Sequence, residues 1–449
     1  MRANTTLWLL GIALAVSACQ SLVEVPRSPL PSAALTRNSV PTKGECDGLP
    51  ALDLATTSDR VRCVALIDAN LSFPRGVIEW NGDLIVADKV SNLVQRSLGS
   101  RIGRIYRYRK TTTGFTRTTL LSGLDNPSAI ARGASPSDRH MVYIATPTEI
   151  LRFDPDGKAP SATLEVVITD LPTRGWHYLT GVYTRPNELL VTVPSATDHC
   201  ETAPSNGSTT DSAPAYPCPE LASATPRQAV TAAIRRYVVR PNSTIEPQFE
   251  LYARGLRDAL ALAFNTETGA LLAADNGWDD IDLKSTTYTD REHPADEINL
   301  LRAQHHYGWP YCFGDGQLTP GYERHAIDCA LYARPIRLLP AHSAPLAMLF
   351  FDQHLMVNLH GYREGGQRTV FFDLDEQGLP VGPAELLIDW SYPHLPDNSG
   401  GRPFGLTQYA DRQIAITDDW SHALMLIKLQ PLNPASERQG SGLGSVKSR

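Results

Sequence analysis

The chain has 449 residues, 42% of them hydrophobic and 20% charged, which is enough for a sizeable packed core in one large domain or two to three ordinary ones. A net charge of −7, with no run of Lys or Arg, excludes the electrostatic footprint of a nucleic-acid binder. The 34 prolines and 32 glycines suit an all-β chain with many turns.

The N-terminus reads as a targeting segment, residues 1–18: Arg2 supplies the positive charge and LWLLGIALAV (7–16) a short apolar run. That run is too short to span a bilayer and fits a secretory signal. It ends in Val16-Ser17-Ala18-Cys19, similar to a bacterial lipobox, in which cleavage precedes a lipid-bearing Cys19. The expected location is therefore the bacterial cell envelope, lipid-anchored. Gln20 rather than Asp follows the cysteine, which favours the outer membrane facing the periplasm. Residues 19–55 start rich in Pro, Ser and Thr and are expected to be a flexible tether; residues 431–449 are expected to be a disordered tail.

Six cysteines then remain, an even count that implies disulfides in an exported protein. Their spacing favours three sequential pairs, Cys46–Cys63, Cys200–Cys218 and Cys312–Cys329. No CxxC or CxH spacing supports a zinc site. The Ser/Pro/Thr-rich stretch 200–227 reads as an insertion pinned by the second pair.

Between residues 56 and 430 one signature recurs: an apolar run, a turn, a second apolar run, and a later strand carrying Arg, Tyr or Phe. The copies begin with GVIEWNGDLIVAD (76–88), SAIARG (128–133), TGVYTRPNELLVTV (180–193), GLRDALALAF (255–264), LAMLFFDQHLMVNLH (346–360) and FGLTQYADRQIAITDD (404–419). Each repeat of about 59 residues is a small antiparallel sheet unable to bury its faces alone, so the repeats are expected to stack radially. The expected fold is all-β, a six-bladed β-propeller of four-stranded blades, with a large β-sandwich as the runner-up.

In the fourth repeat the polar residues stand at strand ends rather than on strand faces: Arg257 and Asp258 before one run, Asp275-Asn276-Gly277 after the next, Asp296-Glu297 opening the third. Asp, Asn and Gly favour turns in any protein, but this arrangement also suits a site at one rim of a sheet. The ordered set FPRGV (73–77), GLRDALALAF, DNG (275–277), DEIN (296–299), YGWPYC (307–312), HSAPLAM (342–348), LHG (359–361), GRPFGL (401–406) and ITDD (416–419) resembles the pyrroloquinoline-quinone (PQQ)-dependent soluble aldose dehydrogenases, especially the sorbosone/glucose dehydrogenase-like branch.

The resemblance implies PQQ lying over the central channel and Ca2+ polarising it. It implies a catalytic His in the segment RGWHYLTGV, here His177 with Trp176 as the alternative at that position. It assigns Arg257 to catalysis and cofactor contact and Arg402 to cofactor contact, because a guanidinium offers a planar anion a fixed donor fork. Asp258, Asn276, Gly277 and Trp278 complete the expected cofactor set. Gly277 and Trp278 carbonyls, with Asp296 and Glu297 nearby, are the expected calcium ligands, as a hard cation needs oxygen. The implied activity is oxidation of an aldose or related sugar, with electrons passed to a separate acceptor and the membrane touched only through the lipid. Three departures, Asp258 for the family's Asn, Ala259-Leu260 for its polar pair and the shortened HGYREGG (360–366), leave an alternative: a propeller lipoprotein that binds a glycan or protein without catalysis.

Overall fold

The computed structural model describes residues 42–54, 56–89, 101–169, 171–172, 177–201, 214–221, 230–391 and 400–430. The expected signal segment, Cys19, Trp176 and the tail lie outside the described residues. Six antiparallel sheets of four core strands each form the propeller. From inner to outer strand, blade 1 is Pro74–Trp80, Asp83–Asp88, Arg101–Thr111 and Gly114–Asp125. Blade 2 is Ala129–Arg132, Val142–Ala145, Ile150–Phe153 and Glu165–Ile168. Blade 3 is Val182–Arg185, Glu188–Val193, Ala233–Val238 and Glu250–Arg254. Blade 4 is Ala261–Phe264, Leu271–Asp275, Asp296–Leu300 and Arg337–Leu339. Blade 5 is Pro345–Phe351, His354–Leu359, Arg368–Leu374 and Pro380–Asp389. Blade 6 takes Pro403–Ala410, Gln413–Asp418 and Ala423–Leu429 from the C-terminal end and Val61–Asp68 from the N-terminal end. Pairing the two ends of the propeller chain in one sheet closes the ring, and the β-sandwich alternative falls with it.

The second strand of each blade explains why the sequence shows continuous apolar runs. Asp83–Asp88, Glu188–Val193, His354–Leu359 and Gln413–Asp418 are each buried at five consecutive positions. A neighbouring blade covers each face, so neither face needs polar residues. One apolar cluster fills each junction: Leu84 and Val86 meet Leu424 and Leu426 between blades 1 and 6, and Met356 and Phe371 meet Ile414 and Ile427 between blades 5 and 6. Towards the axis the inner strands approach closely. A Cβ on Gly405 would lie 2.5 Å from the Arg75 carbonyl oxygen, so only glycine fits there.

Two details correct the expected organisation. Residues 19–55 are not tether throughout: Thr42–Cys46 and Leu49–Leu52 form a hairpin on the outer edge of blade 6, and Cys46–Cys63 ties it to that blade's outermost core strand. Two more strand pieces extend blade edges, Thr56–Thr57 on blade 5 and His305–His306 on blade 3. All three disulfides are the sequential pairs expected from spacing. The second and third sit in one apolar cluster with Trp309, Tyr311 and Tyr322, joining the insertion inside blade 3 to the long connection inside blade 4.

Candidate active site

In an antiparallel hairpin the start of the first strand and the end of the second lie at the same rim. Repeated around a closed ring, this rule gathers residues distant in sequence onto one face. A cavity of about 210 Å³ opens there, lined by Phe73, Arg75, His177, Tyr178, Leu179, Asp258, Asn276, Ala344, Leu346, His360, Arg402, Asp419 and Trp420. Arg75 and Leu346 lie at the starts of inner strands, and Asp258 and Arg402 just before them. Asn276, His360 and Asp419 each follow immediately after a second strand.

One wall is a chain of four polar side chains. Asp419 accepts from Arg75 at 3.0 Å and from His360 Nε2 at 3.0 Å. Arg402 donates through Nη2 to His360 Nδ1 and through Nε to the His360 carbonyl, both at 2.9 Å. Since a guanidinium can only donate, His360 Nδ1 is the acceptor and Nε2 carries the proton. His360 is therefore neutral; burial, then the Arg402 charge, brings its pKa down to about 4. Burial alone would raise Asp419, but Arg75 and then His360 outweigh it and hold the carboxyl well below the usual carboxylate range. The wall thus carries two guanidinium charges against one carboxylate. The Arg75 guanidinium lies 4.4 Å from the Phe404 ring centroid, and its buried Nε has no hydrogen-bond partner.

Beside this wall stands Lys89, 1% exposed, whose ammonium donates to Tyr178 Oη at 2.8 Å. Burial first, and the Arg75 charge second, push the lysine down to about 7. Lys89 follows the second strand of blade 1, the same repeat position as Asn276, His360 and Asp419.

Across the cavity His177 Nδ1 lies 3.0 Å from the Ser195 carbonyl oxygen and 2.9 Å from Ser195 Oγ. The Ser195 hydroxyl proton is committed to the Thr197 carbonyl at 2.7 Å, so both Ser195 oxygens face His177 as acceptors. Nδ1 must carry a proton, so in the neutral tautomer the basic lone pair lies on Nε2. On the same side Asn276 Nδ2 donates to Asp258 Oδ2 at 3.3 Å. The remaining oxygens, Asp258 Oδ1 and Asn276 Oδ1, are buried without a hydrogen-bond partner. Unpaired buried oxygens are costly unless something else meets them.

Of the residues expected from sequence, His177, Asp258, Asn276 and Arg402 line this cavity together. Arg257, Gly277, Trp278 and Glu297 line a second space of about 30 Å³, which shares Asn276 with the larger cavity. Arg257 is turned into the protein: it donates to the Asp198 carbonyl at 3.1 Å and pairs with the Asp198 carboxylate. Its guanidinium joins the blade 3 insertion to blade 4. Asp296 accepts from Gly277 N, Ser343 Oγ and Ala344 N at 2.7–2.9 Å, and Glu297 from Gly314 N and Asn299 Nδ2 at 2.7 and 3.1 Å. Both carboxylates brace loops, so the structure does not direct them at the larger cavity. Asp275 does the same for Arg257 N and Asp258 N, and Asp88 for Ser72 N and Phe73 N.

Arg75, Lys89, His360, Asp419 and Trp420 were not singled out by sequence reasoning. Arg75, His360 and Asp419 lie inside the motifs FPRGV, LHG and ITDD. The usable signal was positional: the residue after the second apolar run in successive repeats.

The TrAA12-like family model matches residues 61–372. An uncharacterized protein of Borreliella burgdorferi is 26% identical over 190 residues, 39% of this chain and 48% of that protein, so the chain spans about half the length of that relative. A Trichoderma reesei carbohydrate-active enzyme of family AA12, solved with iodide, superposes with a TM-score of 0.64 at 19% identity, over 87% of this chain and 100% of that one. The PQQ-bound aldose sugar dehydrogenase of Streptomyces coelicolor gives 0.53 at 17% identity, over 84% and 100%. The apo-form aldose sugar dehydrogenase of Escherichia coli gives 0.53 at 13%, over 82% and 99%. These structures share the fold, and the family match extends from the outermost core strand of blade 6 into the third strand of blade 5: the chain belongs to the TrAA12-like family.

Proposed function

We propose that this protein is a PQQ- and calcium-dependent oxidoreductase that oxidises an aldose or related sugar at its carbonyl-level carbon. The observation that carries the reading is the opposition, across one cavity, of His177, whose Nδ1 is engaged by Ser195 and whose Nε2 makes no hydrogen bond among the described residues, and a wall holding two guanidinium groups. The donor set fits the implied groups. Arg75 and Arg402 would hold an anionic quinone, with Phe73, Tyr178 and Trp420 supplying ring faces. The unpartnered Asp258 Oδ1 and Asn276 Oδ1 are the hard oxygens a calcium ion takes. Structures of the same fold include the PQQ-bound Streptomyces enzyme, which supports the choice of quinone.

When bound, the quinone supplies a two-electron acceptor for hydride. His177 Nε2 takes the proton of the sugar hydroxyl as hydride leaves the same carbon, converting a hemiacetal carbon to a lactone carbonyl. Ser195 holds the imidazole in the tautomer this requires. Asp419 keeps Arg75 and the His360–Arg402 pair in place, so the positive wall is preorganised before any anion arrives. A separate acceptor would take up the two electrons. A lipid on Cys19 would hold this chemistry at the envelope membrane, and Cys19→Ala should release the protein to the soluble fraction.

Calorimetric titration of the purified protein with PQQ, with and without calcium, tests the reading directly. Calcium-dependent binding at micromolar PQQ, followed by sugar-dependent dye reduction, is expected. Absence of PQQ binding would favour the non-catalytic binding propeller.

A further inference from the structure

Two aromatic rings stand among the exposed large apolar side chains of the described residues, Tyr216 at 49% and Tyr362 at 71%. Tyr216 packs on Tyr311 and His325, within the disulfide-pinned cluster. Tyr362 instead contacts the active-site wall. The Arg402 guanidinium lies 5.8 Å from the Tyr362 ring centroid and 5.7 Å from that of Trp420. Arg402 and Trp420 line the cavity, so Tyr362, mostly exposed and itself outside that lining, stands against one of its residues.

The ring is held there by a stiff loop. His360 N donates to the Ala344 carbonyl at 2.9 Å, Gly361 N to Ser343 at 2.7 Å and Gly366 N to Arg363 at 2.8 Å. A Cβ on Gly361 would sit 2.0 Å from the His342 carbonyl oxygen, and one on Gly366 1.9 Å from that of Gly361. Arg363, next to Tyr362, pairs with Asp290, whose carbonyl and carboxylate also hold His342. The loop is therefore closed on itself and bolted to blade 5 and to the blade 4 connection, while the Tyr362 ring is left mostly open to solvent. Arg402 Nε and Nη2 are committed to His360, which leaves Nη1 uncommitted among the described residues.

We propose that Tyr362 is a stacking platform for a saccharide ring at the cavity mouth, with Arg402 Nη1 donating to that ring's hydroxyls. A pyranose ring presents an apolar C–H face and a hydroxyl edge. A preformed aromatic face beside a guanidinium N–H matches both. The platform rests on the sugar reading above and adds a specificity determinant to it. Tyr362 is a substrate-binding residue only; it takes no part in proton or hydride transfer.

The test is titration of the full chain, apo and PQQ-loaded, with a panel of aldoses and disaccharides, followed by calorimetry and saturation-transfer NMR. Wild type, Tyr362→Ala and Tyr362→Phe are compared, with PQQ affinity measured separately on each. Tyr362→Ala should weaken saccharide binding about fivefold to tenfold, while Tyr362→Phe stays within about twofold. In turnover the same change should appear in KM with kcat kept. Unchanged saccharide affinity in Tyr362→Ala overturns the platform, as does a wild type that binds no saccharide. A parallel fall in PQQ affinity also overturns it, since the ring would then serve the cofactor. If wild type binds no PQQ yet Tyr362→Ala loses sugar affinity, the quinone reading fails and the platform stands.

Discussion

Replacing Lys89 with Met should make the apo-protein more stable at neutral pH. The ammonium is 1% exposed and donates to a phenol rather than to a carboxylate, with Arg75 adding repulsion. Burial, then Arg75, lowers its pKa from 10.5 to about 7. That depression corresponds to about 5 kcal/mol of penalty on the charged form. The sign follows from a lysine whose folded value lies below its unfolded one. The penalty is fully present below pH 7, shrinks as pH rises towards 10.5, and is absent above it. Methionine keeps most of the packed stem and loses one hydrogen bond worth about 1 kcal/mol. Lys89→Met should therefore gain about 4 kcal/mol at or below pH 7, or about 4 °C in Tm for a chain of this size. Near pH 10.5 it should be slightly less stable than wild type. Urea unfolding at several pH values between 6 and 10.5 reads this directly. A variant less stable than wild type at pH 7, or a difference that does not change across that range, would refute the reasoning.

Other outcomes follow from the same geometry. His177→Ala should lower sugar turnover about 10²–10⁴-fold while PQQ affinity is kept; Ser195→Ala, which leaves the carbonyl acceptor at 3.0 Å, should lower it only about fivefold, both read by dye reduction. Asp419→Asn removes the charge between Arg75 and His360 and should cost about 3–5 kcal/mol at pH 7 by urea unfolding. Because that carboxyl is held below its unfolded value, the deficit should fade on acidification through the carboxylate range, and a pH-independent deficit would count against the charge argument. Opening Cys312–Cys329 with paired Ser substitutions releases a link of sequence separation 17 and should cost roughly 3 kcal/mol in the chain-entropy account, measured by the same unfolding experiment.

The repeat was legible because blade packing imposes a local rule. A second strand covered on both faces must be apolar throughout, so VIEWNGDLIVAD and its counterparts announce themselves in one dimension. Outer strands were less legible. Arg101–Thr111 and Gly114–Asp125 expose many side chains, and the Val61–Asp68 strand closes a blade whose other strands lie more than 300 residues away in the chain. Cysteine spacing sufficed for the disulfides because each pair closes a short local loop.

The site divides differently. Sequence pattern located the rim, since polar residues at strand ends recur there, and it pointed to Asp258 and Asn276, while the family resemblance added His177 and Arg402. It could not separate a carboxylate that braces a loop from one that faces the cavity. Asp275 and Asp419 look alike in the strings LLAADN and AITDDW, yet one accepts two backbone N–H groups and the other meets Arg75 and His360. A shift of one residue past the end of the strand makes that difference. Arg257 was the reverse case: its guanidinium found Asp198, carried on the insertion of another blade. Composition, the repeat and the cysteine pairs were therefore determined by the chain itself, because they rest on local packing periods and short loops. Which rim side chains converge, which are spent on bracing, and which nitrogen of His177 is free depend on partners 18 to more than 300 residues away, and only closure of the ring brings those partners together.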